Sequence, residues 1–190
     1  MPRVNRWVVA GVATLAFVAG MGFAAYGGLG RSTGPATTPV VLTIFQDPST
    51  GLYSYSMQSL RAAPGTIAEF TIRNFDPTPH GVDPSFASVR GTIGGAMQVQ
   101  PGSPSGGNGM GSRSVTSMPW FGVSHTFTIL AGGYDLNVPI PPALSPTAPS
   151  TVTFSLKVMG PGMVQWTCEC PDGGSDGDLP GGMSGSFTSG

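Results

Sequence analysis

The stretch TVTFSLKV, residues 151–158, alternates polar and apolar side chains without interruption. This alternation predicts a β-strand with one buried face, because successive side chains of a strand point to opposite sides of the sheet. Similar β-branched and aromatic runs, bounded by Pro, Gly or Asp, occur at 40–45, 66–75, 124–130 and 162–168. With 30 Gly, 19 Pro and 9% charged residues, the composition favours a turn-rich all-β fold over a helical bundle. We expect about seven or eight short strands in a Greek-key β-sandwich or barrel.

Two segments interrupt this pattern. Residues 99–114 show no apolar periodicity, which predicts a mobile loop. Residues 137–150 contain five prolines. Because proline cannot donate to a strand ladder, this segment is expected to be a crossover or an edge of the sheet.

The N-terminal part of the chain predicts a membrane segment. No charged residue occurs between Trp7 and Gly30, and a helix of that length would span roughly 36 Å, enough to cross a hydrocarbon core of about 30 Å. Arg3 and Arg6 precede the run, so the positive-inside rule places the remainder of the chain outside the cytoplasm. A cleaved signal peptide is the alternative. We therefore divide the chain into an anchor or signal (1–30), a linker (31–39) and a globular domain (40–190).

Several classes of function lack their sequence signatures. The net charge is −1 and no basic cluster occurs, which argues against nucleic acid as a partner. No nucleophile elbow, catalytic-zinc motif, P-loop or dinucleotide fingerprint is present. We therefore do not expect a hydrolase or a nucleotide-dependent enzyme.

Candidate metal ligands remain. The chain has two histidines, His80 and His125, two cysteines, Cys168 and Cys170, and nine methionines, of which Met183 follows the cysteines. Thiolate and imidazole with a weak thioether are the donors of copper electron-transfer sites. Other methionines are expected to fill gaps in the core or to lie in loops.

Three segments carry a resemblance to a known family: SHTFTILAGGYDLNVPIPPA (124–143), TVTFSLKVMGPGMVQWTCECP (151–171) and GGMSGSF (181–187). They resemble the cupredoxin domain of cytochrome or quinol oxidase subunit II and its membrane-anchored relatives, including sulfocyanin-like proteins. The resemblance implies a cupredoxin-like fold outside the membrane. It also implies copper ligands at His125, at one or both of Cys168 and Cys170, and at Met183.

The loop CECPDGGSDGDLPGGM, residues 168–183, departs from that family because it contains no histidine. His80 is the candidate to replace the missing ligand, since its context FTIRNFDPTPHGVD resembles the segment that presents the first histidine in many small cupredoxins. Convergence of both histidines on Cys168, with Met183 axial, would complete a mononuclear copper site. The alternatives are an exposed loop position for His80 and a structural, hydrogen-bonded position for His125.

The cysteines and the acidic residues beside them each allow a structural interpretation. Cys168 and Cys170 are separated by one residue, and in a strand their Cα atoms would lie about 6.5–7 Å apart, near the upper limit for a disulfide. A strained disulfide and a shared metal therefore both remain open. Glu169, Asp172, Asp176 and Asp178 form either a solvated loop or an acidic docking face for a basic redox partner.

These observations lead to one principal expectation and two alternatives. The principal one is a single-pass cell-membrane protein with an extracytoplasmic all-β cupredoxin-like Greek-key sandwich. In this interpretation a copper site transfers electrons in a respiratory chain, with an oxidase subunit or redox protein as partner. The first alternative is a copper-free structural or docking subunit of a terminal oxidase. The second is an extracytoplasmic copper carrier.

Overall fold

The computed structural model describes residues 34–102, 111–171 and 183–190. In this part of the chain the regular structure consists of strands and two short 3-10 helices, Pro84–Phe86 and Trp120–Gly122. The strands are β1 (Thr37–Gln46), β2 (Tyr53–Tyr55), β3 (Ser59–Ala62), β4 (Ile67–Asn74), β5 (Met97–Gln100), β6 (Arg113–Val115), β7 (His125–Ile129), β8 (Leu136–Ile140), β9 (Ser150–Lys157), β10 (Gly162–Thr167) and β11 (Ser184–Ser189).

The strands form two sheets. The first has the order β2-β1-β4-β9-β5-β6, and the second has the order β3-β11-β10-β7-β8. The pairs β1–β4 and β3–β11 are parallel, and the other named pairs are antiparallel. The all-β sandwich expected from the sequence is confirmed.

The core lies between the sheets and is rich in aromatic rings. Phe70 of β4 stacks on Phe154 of β9, with ring centroids 4.8 Å apart, and meets Phe127 of β7 at 5.1 Å. Trp166 of β10 is fully buried and stacks on Phe127 at 5.3 Å. The period-two pattern of β9 therefore directs its apolar side chains into this core, as predicted.

Two segments interrupt the strand pattern of the sequence, 137–150 and 99–114. Residues 137–140 of the proline-rich stretch lie in β8, which pairs with β7 at the edge of the second sheet, so the edge position is confirmed for these residues. The prediction of a loop over 99–114 is wrong at both ends of that segment. There β5 and β6 form a hairpin, because Met97 and Val99 are buried and Val99 pairs with Arg113.

The predicted anchor, 1–30, lies outside the described residues, as do the linker positions 31–33. Within the described ranges, no helix has the length and apolar character needed to span a membrane.

Candidate metal centre

The first segment that builds the centre is the turn after β4. The Asn74 side chain accepts a hydrogen bond from the Asp76 N–H at 3.0 Å and donates to the Pro141 carbonyl at 2.9 Å. The N–H groups of His80 and Gly81 then donate to the Val123 carbonyl at 3.0 and 2.9 Å. These bonds hold the Asp-Pro-Thr-Pro-His turn against the chain that leads into β7.

The second segment is the start of β7, where His125 is fully buried and pairs with Ile140 of the edge strand. The ring of His125 lies close to two other rings. Its centroid is 5.9 Å from that of Tyr53 and 5.2 Å from that of His80. His125 is thus held inside the sandwich, not on its surface.

The third segment is the end of β10, where the ladder to β7 opens. The two strands pair at Thr167 and Thr128. Beyond this pair, side chains satisfy the backbone of Thr126: its N–H donates to Cys168 Sγ at 3.3 Å, and its carbonyl accepts from the Tyr55 hydroxyl at 2.9 Å. Buried backbone groups need hydrogen-bond partners. Here the Cys168 sulfur takes the place of a backbone carbonyl as the partner of the Thr126 N–H.

These segments bring His125, Cys168 and Cys170 together. The Nδ1 atom of His125 lies 4.0 Å from Cys168 Sγ, and one ligand atom from each of the three residues lies within 4.8 Å of the others. Both cysteines are free thiols, and Cys170 donates to the Ser124 carbonyl at 3.2 Å. The disulfide that the sequence left open is not formed.

The thiol of Cys168 is activated by its surroundings. The neighbouring Cys170 side chain lowers its pKa most, burial opposes this, and His125 and the Thr126 N–H lower it further, so that the pKa lies well below its usual value. Since the thiolate is the form that binds metals, Cys168 is prepared to act as a ligand.

Met183 is linked to this group by a backbone hydrogen bond. Its carbonyl accepts the Cys168 N–H at 2.9 Å, and its side chain is buried in the same core cluster against which Cys168 packs. The acidic positions Asp172, Asp176 and Asp178 lie outside the described residues. The carboxylate of Glu169 accepts a hydrogen bond from the Thr167 hydroxyl at 2.5 Å.

His80 belongs to a second group of possible ligands, which also contains Asp76 and His125. Its Nε2 atom lies 2.6 Å from Asp76 Oδ2, and the Nε2 atom of His125 lies 2.9 Å from the same oxygen. The bonding of His80 in this structure is thus directed to the carboxylate. Its role as a copper ligand stays a prediction, as do those of His125, Cys168, Cys170 and Met183.

Asp76 is the residue that sequence reasoning missed. Its side chain is fully buried. Burial would raise the pKa of its carboxyl, but hydrogen bonds from His125 and His80 and from the Thr78 N–H lower it by more, so that the pKa lies well below its usual value. The available signal was the Asp-Pro-Thr-Pro-His sequence, in which two prolines restrict the turn between the carboxylate and His80.

The donor set of the cysteine group fits a soft metal ion. Metal–sulfur and metal–nitrogen bonds of about 2.3 and 2.0 Å require ligand atoms roughly 3.5 Å apart around a tetrahedral ion. The 4.0 Å between His125 Nδ1 and Cys168 Sγ needs a closure of only about half an ångström from that value. Thiolate, imidazole and thioether donors are those that copper and zinc prefer.

Comparison with known proteins gives structural likeness at low sequence identity. No protein-family model and no curated protein matches the chain. Rusticyanin from Thiobacillus ferrooxidans is 13% identical with a TM-score of 0.42, over 81% of this chain and 77% of rusticyanin. Auracyanin from the photosynthetic bacterium Roseiflexus castenholzii is 14% identical with a TM-score of 0.38, over 83% of this chain and 99% of auracyanin.

A multicopper oxidase from Campylobacter jejuni is also similar, at 11% identity and a TM-score of 0.44. The match covers 85% of this chain and 31% of the oxidase. At these scores the likenesses assign neither a ligand set nor an activity to this chain. The chemistry of the centre therefore rests on its own residues.

Proposed function

We propose that this chain is a copper-binding electron-transfer protein. In this proposal one copper ion is bound by His125 Nδ1, Cys168 Sγ and Cys170 Sγ, with the Met183 thioether as a weak additional donor. The observation that carries the proposal is the convergence of one imidazole nitrogen and two free thiols within 4.8 Å. When bound, copper would supply a one-electron redox couple.

The residues around the ion would have separate tasks. The lowered pKa of Cys168 favours the thiolate, which is the form that binds metal. The bond from the Thr126 N–H to Cys168 holds that sulfur before an ion arrives, and it persists when Cys168 is a thiolate. Preorganisation of this kind limits the rearrangement that binding requires.

We further propose that the protein is anchored in the cell membrane by the uncharged run at 7–30, with the sandwich outside the cytoplasm. Arg3 and Arg6 before that run support this orientation. In this position the copper site would exchange electrons with an oxidase subunit or another redox protein of a respiratory chain. Membrane fractionation, with protease digestion of intact cells, tests the location.

A second candidate is a carrier of Cu(I). Two thiols beside one imidazole, with a buried methionine next to them, make a soft donor set that suits Cu(I). A carrier would hold Cu(I) tightly without forming a stable Cu(II) state, so the two candidates differ in their spectra.

The experiment uses the full-length chain, reduced and purified in a mild detergent. Copper is added to one equivalent, and visible absorption and paramagnetic resonance are recorded for the wild type, Cys168→Ser and the control Met163→Leu. Met163 is 66% exposed and offers a matched change of a sulfur-containing side chain away from the group. Electron transfer predicts an intense thiolate-to-Cu(II) band that the control keeps and that Cys168→Ser weakens and shifts, because Cys170 is then the one thiolate ligand left.

The other outcomes separate the alternatives. Uptake of Cu(I) without an intense Cu(II) band favours the carrier. Absence of uptake by the folded, reduced protein contradicts copper binding and supports a copper-free docking subunit. A band of unchanged position and intensity in Cys168→Ser removes Cys168 from the ligand set.

A further inference from the structure

The buried carboxylate of Asp76 receives two imidazole rings on one oxygen. His80 Nε2 lies 2.6 Å and His125 Nε2 lies 2.9 Å from Oδ2. The Ser124 hydroxyl donates to the same oxygen at 3.3 Å, and the Thr78 N–H donates to Oδ1 at 2.8 Å. Four groups that can each donate a hydrogen bond thus converge on this carboxylate, and such an arrangement stabilises its ionised form.

This arrangement determines which nitrogen of His125 carries hydrogen. An ionised carboxylate has no hydrogen to give, so Nε2 must be the donor in its bond to Asp76. The other ring nitrogen is then the atom that a metal ion can take, either directly in a neutral ring or by displacing a proton. In His125 that nitrogen is Nδ1, which lies 4.0 Å from Cys168 Sγ.

We propose that Asp76 is a positioning residue, which holds His125 in its Nε2–H tautomer and so makes Nδ1 the atom that binds the metal. The inference rests on the proposed copper function and deepens it. Carboxylate–histidine pairs of this kind orient metal ligands and increase their basicity. His80, by donating to the same oxygen, keeps the carboxylate directed at His125, which makes it a support for the ligand and not a ligand itself.

The alternative to this proposal is a metal ion bound directly by Asp76, His80 and His125. Asp76, His80 and His125 also lie close enough to hold a metal directly. In that case Nε2 of His125 would be the ligand, and Asp76 would bind the ion. The two arrangements use opposite nitrogens of the same ring, so a measurement on those nitrogens distinguishes them.

The first test is made on the metal-free protein. Long-range ¹H–¹⁵N spectra of the reduced, metal-free full-length chain report the tautomer of each imidazole, with His125→Gln used to assign the signals. We expect His125 in the Nε2–H form with Nδ1 unprotonated, or carrying a proton that copper displaces. A neutral Nδ1–H form would overturn the inference, whatever the protein does with copper.

The second test compares Asp76→Asn with Asp83→Asn. An amide at position 76 cannot accept at both ends, so it cannot serve both Thr78 and the two histidines. Asp83 is exposed and accepts from Ser85, so its substitution makes the same charge change outside the centre. Cu(I) affinity is measured by competition with a colorimetric chelator, and a circular dichroism spectrum confirms that each variant is folded.

We expect Asp76→Asn to bind Cu(I) about 10–100-fold more weakly, with a mixture of His125 tautomers, and Asp83→Asn to match the wild type. Unchanged affinity and tautomer in a folded Asp76→Asn would refute the positioning role while leaving copper binding intact. Ligation through Nε2 in the Cu(I)-loaded protein would refute it in favour of the Asp76 group. If the wild type takes up no copper, the proposed function fails, and the metal-free tautomer still decides the role of Asp76.

Discussion

Gly185 lies at a close approach between strands, and the substitution Gly185→Ala measures how tightly the second sheet is packed beside the centre. A Cβ atom at this position would lie 2.1 Å from the Gln58 carbonyl oxygen and 2.5 Å from Cζ2 of Trp166. Ordinary contacts begin at 3.4 Å, so β3 and β11 must separate by roughly 1 Å. Such overpacking destabilises a protein, because side chains and backbone have to shift to make room. The Ser186 N–H bond to the Gln58 carbonyl, 2.7 Å long, would be lost.

The cost follows from these two effects. Overpacking costs about 1–3 kcal/mol and a lost hydrogen bond about 1 kcal/mol, so we expect a loss of about 3 kcal/mol. For a chain of this size each kcal/mol lowers Tm by about 2–4 °C, which gives a fall of roughly 6–12 °C. Thermal unfolding of the full-length chain, followed by circular dichroism, provides the measurement.

Gly160→Ala is the matched control. Among the described residues, nothing lies within 4 Å of a Cβ built at Gly160, and neither glycine has a φ in the left-handed region. The control should be neutral or should stabilise the protein by about 0.4–1 kcal/mol. If both variants unfold at the temperature of the wild type, the close approach at Gly185 is not rigid and this reasoning is wrong.

Two further substitutions test the polar contacts that hold the centre. Tyr55→Phe removes the donor to the buried Thr126 carbonyl. Because an acceptor is left unsatisfied, the free energy of unfolding should fall by about 1–2 kcal/mol. Chemical denaturation measures this, and a fall of less than about 0.3 kcal/mol would contradict it. Asn74→Ala removes the bonds to the Asp76 N–H and the Pro141 carbonyl, with an expected loss of about 2–4 kcal/mol. Because the turn that carries Asp76 loosens, the Cu(I) affinity of Asn74→Ala should fall as well. An unchanged affinity in a destabilised variant would show that the turn does not control the centre.

The strands that could be predicted are those whose burial pattern is visible locally. Strand β9 alternates over its whole length, and β4 and β7 combine apolar runs with clear boundaries. Strands β2, β3 and β6 have three or four residues each, too few for periodicity to show. The hairpin of β5 and β6 was hidden because the Gly- and Ser-rich stretch between them dominated the composition of the segment.

The candidate centre divides in a similar way. The resemblance placed His125, Cys168 and Cys170 in one site, and the structure brings their ligand atoms together. The bond between Asp76 and His125 spans 49 positions in sequence, and no local pattern shows that a single charged residue is buried against a distant ring. The role of His80 as a candidate ligand stays a prediction, and its Nε2 contacts a carboxylate that the sequence did not single out.

Trp166 gives the chain an internal optical reporter. Its indole is fully buried, its N–H has no hydrogen-bond partner within the described part of the chain, and it stands two positions before Cys168. Trp120 is 51% exposed, and the third tryptophan, Trp7, lies outside the described residues. Trp166 and Trp120 therefore experience environments of different polarity and emit at different wavelengths. An ion held by Cys168 would quench the blue-shifted component selectively, which allows occupancy of the centre to be followed by emission during a titration, without a label or a visible chromophore.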